Sequence, residues 1–319
     1  MAQQPPISPM SRTISASKRT IQLTQHLHRM ATPAPQPAAP WRSLFLDHIS
    51  KLSPPTFTLS TLHPNPSSSS SSSSSSFSSA FRFTPRARTV VYRGMFASLP
   101  VNPKNPAKLN PEGVWESDLL TITSDARMEK IPELFSSGRE DGNGTAEEGA
   151  QSGEGGPFEA VFWVDKANTQ WRIRGHAVVI GPDIDSSSHD ATRKAILAHM
   201  RQTSSSSSLD SPSPDFSFPT ELTAHFGNLS PAMRGTFRNP PPGTPLTDRS
   251  SPPDSGLGLG QKVDDLDDKI ARANFRVVVL VPEEVDQVDL GDPDEGKRWN
   301  YSLQGSEETR AWKVTELWP

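Results

Sequence analysis

The stretch 158–180 decides the fold class. It reads FEAVFWV over 158–164, DKAN over 165–168 and TQWRIRGHAVVI over 169–180. Aromatic and β-branched residues dominate both flanks, and four turn-compatible residues separate them, so the spacing predicts a β-hairpin. Side chains alternate faces along a strand. Trp171 and Ile173 therefore share one side, and Gln170, Arg172 and Arg174 the other. Toward the C-terminus the run 274–281, NFRVVVLV, is the most strand-like in the chain. Strands are also expected at 57–62 (FTLSTL), 86–96 (RARTVVYRGMF) and 119–124 (LLTITS), with short ones at 285–290, 299–303 and 312–317. Helices are expected at 41–49, 190–202, 221–237 and 263–273. Another runs from Ser124 or Asp125 toward Phe135, with Pro132 delaying or kinking it. Strands do not alternate with long helices, which argues against a doubly wound sheet. The expected architecture is mainly β with peripheral helices, a small antiparallel barrel.

Of the 319 residues only 33% are apolar, while Pro reaches 32 and Ser forms the runs 67–76 and 204–208. The reading is one folded domain over 40–319, diluted by disordered insertions near 65–80, 136–156, 203–217 and 244–258. A net charge of −4 gives no global field toward nucleic acid or membrane. There is no cysteine, so disulfides and thiol chemistry are excluded. No run approaches the roughly 18 apolar residues of a membrane helix. Residues 1–39 read as a disordered tail, free of acids and carrying Arg12, Lys18, Arg19 and Arg29. Such a leader suits a cytoplasmic protein with a loose tail, a mitochondrial targeting segment, or a chain whose start is Met30.

The phosphate-loop, zinc-protease and serine-hydrolase motifs are absent, and no histidine pair has metal spacing. No catalytic side chain and no metal site is assigned. What stands out is cations placed on strands. In Arg88-Thr89-Val90-Val91-Tyr92-Arg93 alternation puts Arg88, Val90 and Tyr92 on one side and Thr89, Val91 and Arg93 on the other. After the 119–124 strand, Arg127 and Lys130 lie three apart, on one face of a helical turn. Such cations either pair with the chain's many acids or meet an anion, and phosphate suits Arg because it accepts bidentately.

Taken in order, these residues resemble the pyridoxamine 5'-phosphate oxidase-like family of flavin proteins. Arg88 to Arg93 is similar to that family's R-x-V-L-L-K strand, and Thr121 to Lys130 to its Thr-containing strand followed by S/D-x-R-x-x-K. Gln170 matches a glutamine that reaches the flavin of the dimer partner. Asn274-Phe275-Arg276-Val277 through Pro282 resembles F-R-V-x-P-x-x-I, Arg298 matches a second flavin contact, and Trp312 to Pro319 matches the W-K-x-x-x-L-x-P ending. The run 223–235 resembles T-A-H-F-G-N-L-S-P-x-M-R-G of an FMN-binding subgroup, with Ser230 its flavin contact.

The resemblance implies an FMN-binding split β-barrel whose flavin sits between two subunits of a homodimer. The phosphate would lie on Arg88, Arg93, Arg127 and Lys130 with Thr123 and Ser124. The ring would lie along Thr89, Val90, Val91 and Tyr92. Where the true oxidase has R-L-H, this chain has Glu295-Gly296-Lys297, and the family's substrate-gripping Tyr, Arg and Ser have no counterpart in 193–208. The implied function is an FMN-dependent oxidoreductase taking a small-molecule electron donor or acceptor. The alternatives are a pyridoxamine 5'-phosphate oxidase and a non-catalytic FMN-binding protein.

Overall fold

The computed structural model describes residues 37–65, 82–137, 150–203, 215–245, 256–306 and 309–319. The readings for residues 1–36 and for the bulk of the four insertions lie outside them. The fold described here occupies Ala38–Pro319.

The chain enters through helix α1 (Arg42–Ile49), whose Trp41 cap residue, Phe45, His48 and Ile49 are buried at helical spacing. Strands β1 (Thr56–Pro64) and β2 (Phe83–Val91) pair antiparallel along their whole length. A short β3 (Trp115–Ser117) precedes β4 (Leu120–Asp125) and helix α2 (Lys130–Ser137). The hairpin read from the sequence is β5 (Gly153–Val164) and β6 (Thr169–Ile180), turning on Asn168 at φ +46°. Helix α3 (Asp190–Leu197) and β7 (Met200–Gln202) follow, and β7 pairs with β3. Helices α4 (Phe218–Gly227), α5 (Pro231–Gly235) and α6 (Lys269–Asn274) lead into β8 (Phe275–Asp289), β9 (Lys297–Gln304) and β10 (Ala311–Leu317).

The main sheet runs β10-β9-β8-β6-β5-β1-β2, and β4 adds to β8. It closes where the chain beyond β2 meets β4. Arg93 N–H donates to Thr121 O at 2.8 Å, Thr121 N–H donates to Gly94 O at 3.0 Å, and Met95 bridges Leu120. Six strands thus form a ring, while β9 and β10 continue from the C-terminal half of β8. The fold is mainly β with helices at its periphery, as the sequence predicts.

Phe57, Leu59, Phe162, Trp171, Ile173 and Val278 fill the barrel. Helix α1 closes one end, where Phe45 meets Tyr92, Phe162 and Trp171 edge-on. Helix α2 closes the other, contributing Ile131 and Leu134. Outside the sheet, α4 lays Phe218, Leu222 and Phe226 over Phe275, Val277, Val279 and Val281. The run 277–281 is apolar throughout because both of its faces are covered.

Several boundaries differ from the sequence reading. β2 ends at Val91, because Gly94 adopts φ +113° and turns the chain across to β4. The 285–290 strand is not separate. It continues β8 past Pro282 through a bulge opposite Arg174 and Gly175. The helix expected at 263–273 begins only after Asp268, whose side chain accepts from Ala271 N–H. The helix expected at 190–202 stops at Leu197, and Met200–Gln202 pairs with β3 instead. The insertion drawn to residue 156 yields to strand from Gly153.

At the bulge a Cβ on Gly175 would lie 1.9 Å from Val281 O, a backbone atom that cannot swing aside. Gly175→Ala should therefore destabilise the fold by about 2–4 kcal/mol, the range of severe local strain and lost packing. Chemical denaturation of the purified variant measures this, with an unchanged midpoint as the contrary result.

Candidate functional site

Alternation along β2 divides the first motif as the sequence predicts. Arg88 pairs across to Leu59, and Val90 to Phe57, both interior residues. Arg88, Val90 and Tyr92 therefore point inward, while Thr89, Val91 and Arg93 point outward. The four motif cations differ in their partners, Arg88 and Arg127 pairing with carboxylates of the chain and Arg93 and Lys130 meeting hydroxyls.

Arg88 reaches the α2 end of the barrel. Its guanidinium donates to Glu133 Oε2 at 2.5 Å and also to Thr61 Oγ1. Glu133, with its side chain 1% exposed, accepts from Thr61 as well and lies 3.1 Å from His63 Nδ1. Burial by itself would raise the Glu133 pKa. The hydrogen bonds from Thr61 and Arg88, together with the Arg88 charge, outweigh burial and hold it below the usual carboxylate value. Arg127 is likewise taken up internally. It donates to both oxygens of Asp125, at 2.9 and 2.6 Å, and to the carbonyls of Phe237 and Asn239.

The other two motif cations have no carboxylate in ion-pair contact among the described residues. Arg93 donates to Thr123 Oγ1 at 3.3 Å, and burial lowers its pKa. Lys130 is buried, with Nζ 3.1 Å from Ser124 Oγ and 3.2 Å from Met128 Sδ. Burial, then the Arg88 charge, lowers its pKa. Thr123 and Ser124 are consecutive on β4, so the two cations flank its end from opposite faces, Lys130 on the side of Leu120 and Ile122 and Arg93 on the outer side.

Beside Arg93 lies a cavity of about 690 Å³, bounded by Arg42, Leu46, Val91, Tyr92, Gly94 and Asn228 among others. The Tyr92 hydroxyl is buried with no hydrogen-bond partner among the described residues, and burial pushes its pKa up. Arg42, by contrast, is paired with Asp118 at 3.0 Å.

Gln170 and Arg298 stand elsewhere. In the sheet register Trp163, Gln170, Val288 and Arg298 form one cross-strand row on the outward face of β5, β6, β8 and β9. Trp163 is 50% exposed there. Arg298 and Arg172 clamp the buried Asp286 from both sides, at 3.0 and 2.8 Å. Ser230 caps α5 by accepting from Met233 N–H at 3.2 Å, and Asn228, two residues earlier, is the member of that run lining the cavity.

Sequence reasoning missed the carboxylates Asp125, Glu133 and Asp286. The first two had a local signal, since Asp125 stands two residues before Arg127 and Glu133 three after Lys130. Asp286 meets Arg172 only through the β6–β8 register.

Residues 38–181 match the family model of the pyridoxamine 5'-phosphate oxidase, FMN-binding domain. No curated protein matches the chain. Among solved structures, the chain is similar to a pyridoxamine 5'-phosphate oxidase-related, FMN binding protein from Nostoc punctiforme. Identity is 18% and the TM-score 0.46, covering 88% of this chain and 98% of that one. It is also similar to PhzG from Burkholderia lata, in complex with tetrahydrophenazine-1-carboxylic acid. Here identity is 13% and the TM-score 0.31, covering 98% of this chain and 95% of that one.

The Arg88–Glu133 pair generates a stability prediction. Arg88→Ala leaves a buried carboxylate uncompensated and should cost about 3–5 kcal/mol. Because the folded-state pKa of Glu133 is depressed, its contribution is present at neutral pH and is lost as pH falls below the unfolded carboxylate value. Urea titrations of the parent and Glu133→Gln should therefore differ near pH 7 and converge toward pH 3. Parallel curves across that range would contradict the assignment.

Proposed function

We propose, from the match of residues 38–181 to the family model of the pyridoxamine 5'-phosphate oxidase, FMN-binding domain, that this protein is an FMN-dependent oxidoreductase for a small-molecule electron donor or acceptor. The observation that carries the reading is the pair of motif cations, Arg93 and Lys130, which meet hydroxyls and have no carboxylate in ion-pair contact among the described residues. A buried cation without an anion is costly, and a phosphate bound at the end of β4 supplies the missing anion. Arg93, Lys130, Thr123 and Ser124 would hold the FMN phosphate, with Arg88 and Arg127 serving as internal braces.

When bound, the flavin supplies the electron chemistry. The chain binds and orients it. Leu46, Val91 and Tyr92 give the adjoining cavity an apolar wall that excludes water. Tyr92, its pKa raised by burial, keeps its proton on the hydroxyl and stands as a donor beside the cavity. The Gln170–Arg298 row lies on a different part of the sheet from Arg93. That separation supports a site completed by a second copy of the chain, the row of one protomer meeting the β2 end of its partner.

The purified protein should carry FMN, released on denaturation. Arg93→Ala should weaken FMN binding at least tenfold, since a charge-assisted hydrogen bond contributes about 1.5–3 kcal/mol and 1.4 kcal/mol is a factor of ten. A fluorescence titration with FMN measures this, and equal affinity would place the phosphate elsewhere. Anaerobic addition of NADPH, NADH or pyridoxamine phosphate then tests turnover. Bleaching identifies the donor, and a spectrum unmoved by all three favours an FMN-binding protein without turnover. Sedimentation should give a dimer at micromolar concentration, against which a fully flavinated monomer would count.

A further inference from the structure

A second cavity, of about 560 Å³, lies between the 97–116 segment and the start of α4. No residue assigned above to FMN lines it. Trp115 and Phe216 form an aromatic wall, with ring centroids 6.5 Å apart at 74°. Val101 and Leu109 turn apolar side chains into it, yet remain 47% and 37% exposed. Its charged lining consists of the carboxylates Glu112, Glu116 and Glu221, and no Lys or Arg is among the described residues that line it.

The walls are fixed in advance. Asn102 N–H donates to Asn228 Oδ1 at 2.6 Å, Asn105 Nδ2 to Ala224 O at 3.0 Å, and Asn110 Nδ2 to Glu221 Oε2 at 2.9 Å. Ala97 holds a left-handed backbone, φ +63°, with its N–H donating to Glu221 Oε1 at 3.2 Å. A non-glycine residue held in that region marks a local constraint that its surroundings maintain. Three side-chain ties and one strained residue thus keep an apolar hollow open. Such a hollow is the setting in which little ordering remains to be done on binding.

We propose that this cavity binds an organic cation carried on a flat aromatic body, of the aryl-ammonium class. The aromatic wall takes the ring and offers a π-face to the charge. The aliphatic side chains replace its water, and the carboxylates match its sign. Glu116 is shared with Arg201 at 2.7 Å, so its charge is largely spent. Glu112 is exposed at the rim. Glu221 is buried, accepts from the Ala97 N–H and from Asn110 Nδ2, and has His225 Nε2 at 3.5 Å. Burial would raise the Glu221 pKa, but His225, Asn110 and the Ala97 N–H together hold it down, so the carboxylate stays charged. An anionic ligand of the same shape meets like charge and no cation, and this gives the site its selectivity.

Phenyltrimethylammonium is a suitable probe because its charge does not depend on pH. Benzenesulfonate is its anionic counterpart. Calorimetric titration of the full-length protein should give saturable binding of the cation, one per chain, and none of the sulfonate. Val101→Arg and Leu109→Lys place a cation at the cavity from exposed positions, which leaves the core intact. Each should weaken the probe at least tenfold while FMN content stays at the parent level. The proposal is overturned if the cation does not bind, if the sulfonate binds equally, or if both variants retain parental affinity. None of these readouts depends on whether the FMN assignment holds.

Discussion

The β6–β8 ladder is the constraint on which the rest of the fold hangs. It runs from Thr169 opposite Asp289 to Ile180 opposite Val277, nearly the full length of both strands. β5 joins one side of it, and β4 and β9 share the other, β4 along 275–280 and β9 along 284–289. The fork in β8 thus separates the closed ring from its extension. It also assigns the two halves of one strand to different tasks: the first packs α4 on its outer face, and the second carries the Asp286 clamp.

Charge is distributed by the same geometry. Strand pleating sends Arg88 inward and Arg93 outward because an odd number of positions, five, lies from one to the other. The inward cation is matched by Glu133 from α2, and Arg127 by Asp125 at the end of β4. Two cations of the motif are therefore consumed within the chain, Arg88 in joining the barrel to its end-plug and Arg127 in tying the end of β4 to the 237–239 segment. The two that are left, Arg93 and Lys130, meet hydroxyls rather than carboxylates. A cation that has lost water and gained only a hydroxyl retains most of its capacity for an anion.

Much of this was legible in the sequence. Periodicity located α1, β1, β4 and the β5–β6 hairpin, because each is half-buried and alternates or repeats accordingly. It also gave the faces of Arg88, Arg93 and Gln170. What it could not give was partnership. That Asp286 meets Arg172 and Arg298 depends on register across three strands, and that Glu133 meets Arg88 depends on how α2 plugs the barrel. The joining of 274–281 to 285–290 was hidden by Pro282, which reads as a strand breaker until a bulge accommodates it. The 263–273 segment carries apolar residues at helical spacing, but its run of aspartates folds into turns up to the cap at Asp268.

The bulge opposite Gly175 acts as a phase shifter for the sheet. Upstream of it the even-numbered residues Val278 and Leu280 face the interior; downstream it is the odd-numbered Val285. One extra residue thus exchanges inside for outside over the whole C-terminal half of β8. Without that half-period offset, Val285 would turn outward and Asp286 would enter the apolar lumen. The outward row that includes Gln170 and Arg298 would lose its middle strand. The polarity of this face is thus encoded less by the identities of its residues than by a one-residue count, which a substitution leaves untouched and a single insertion or deletion inverts.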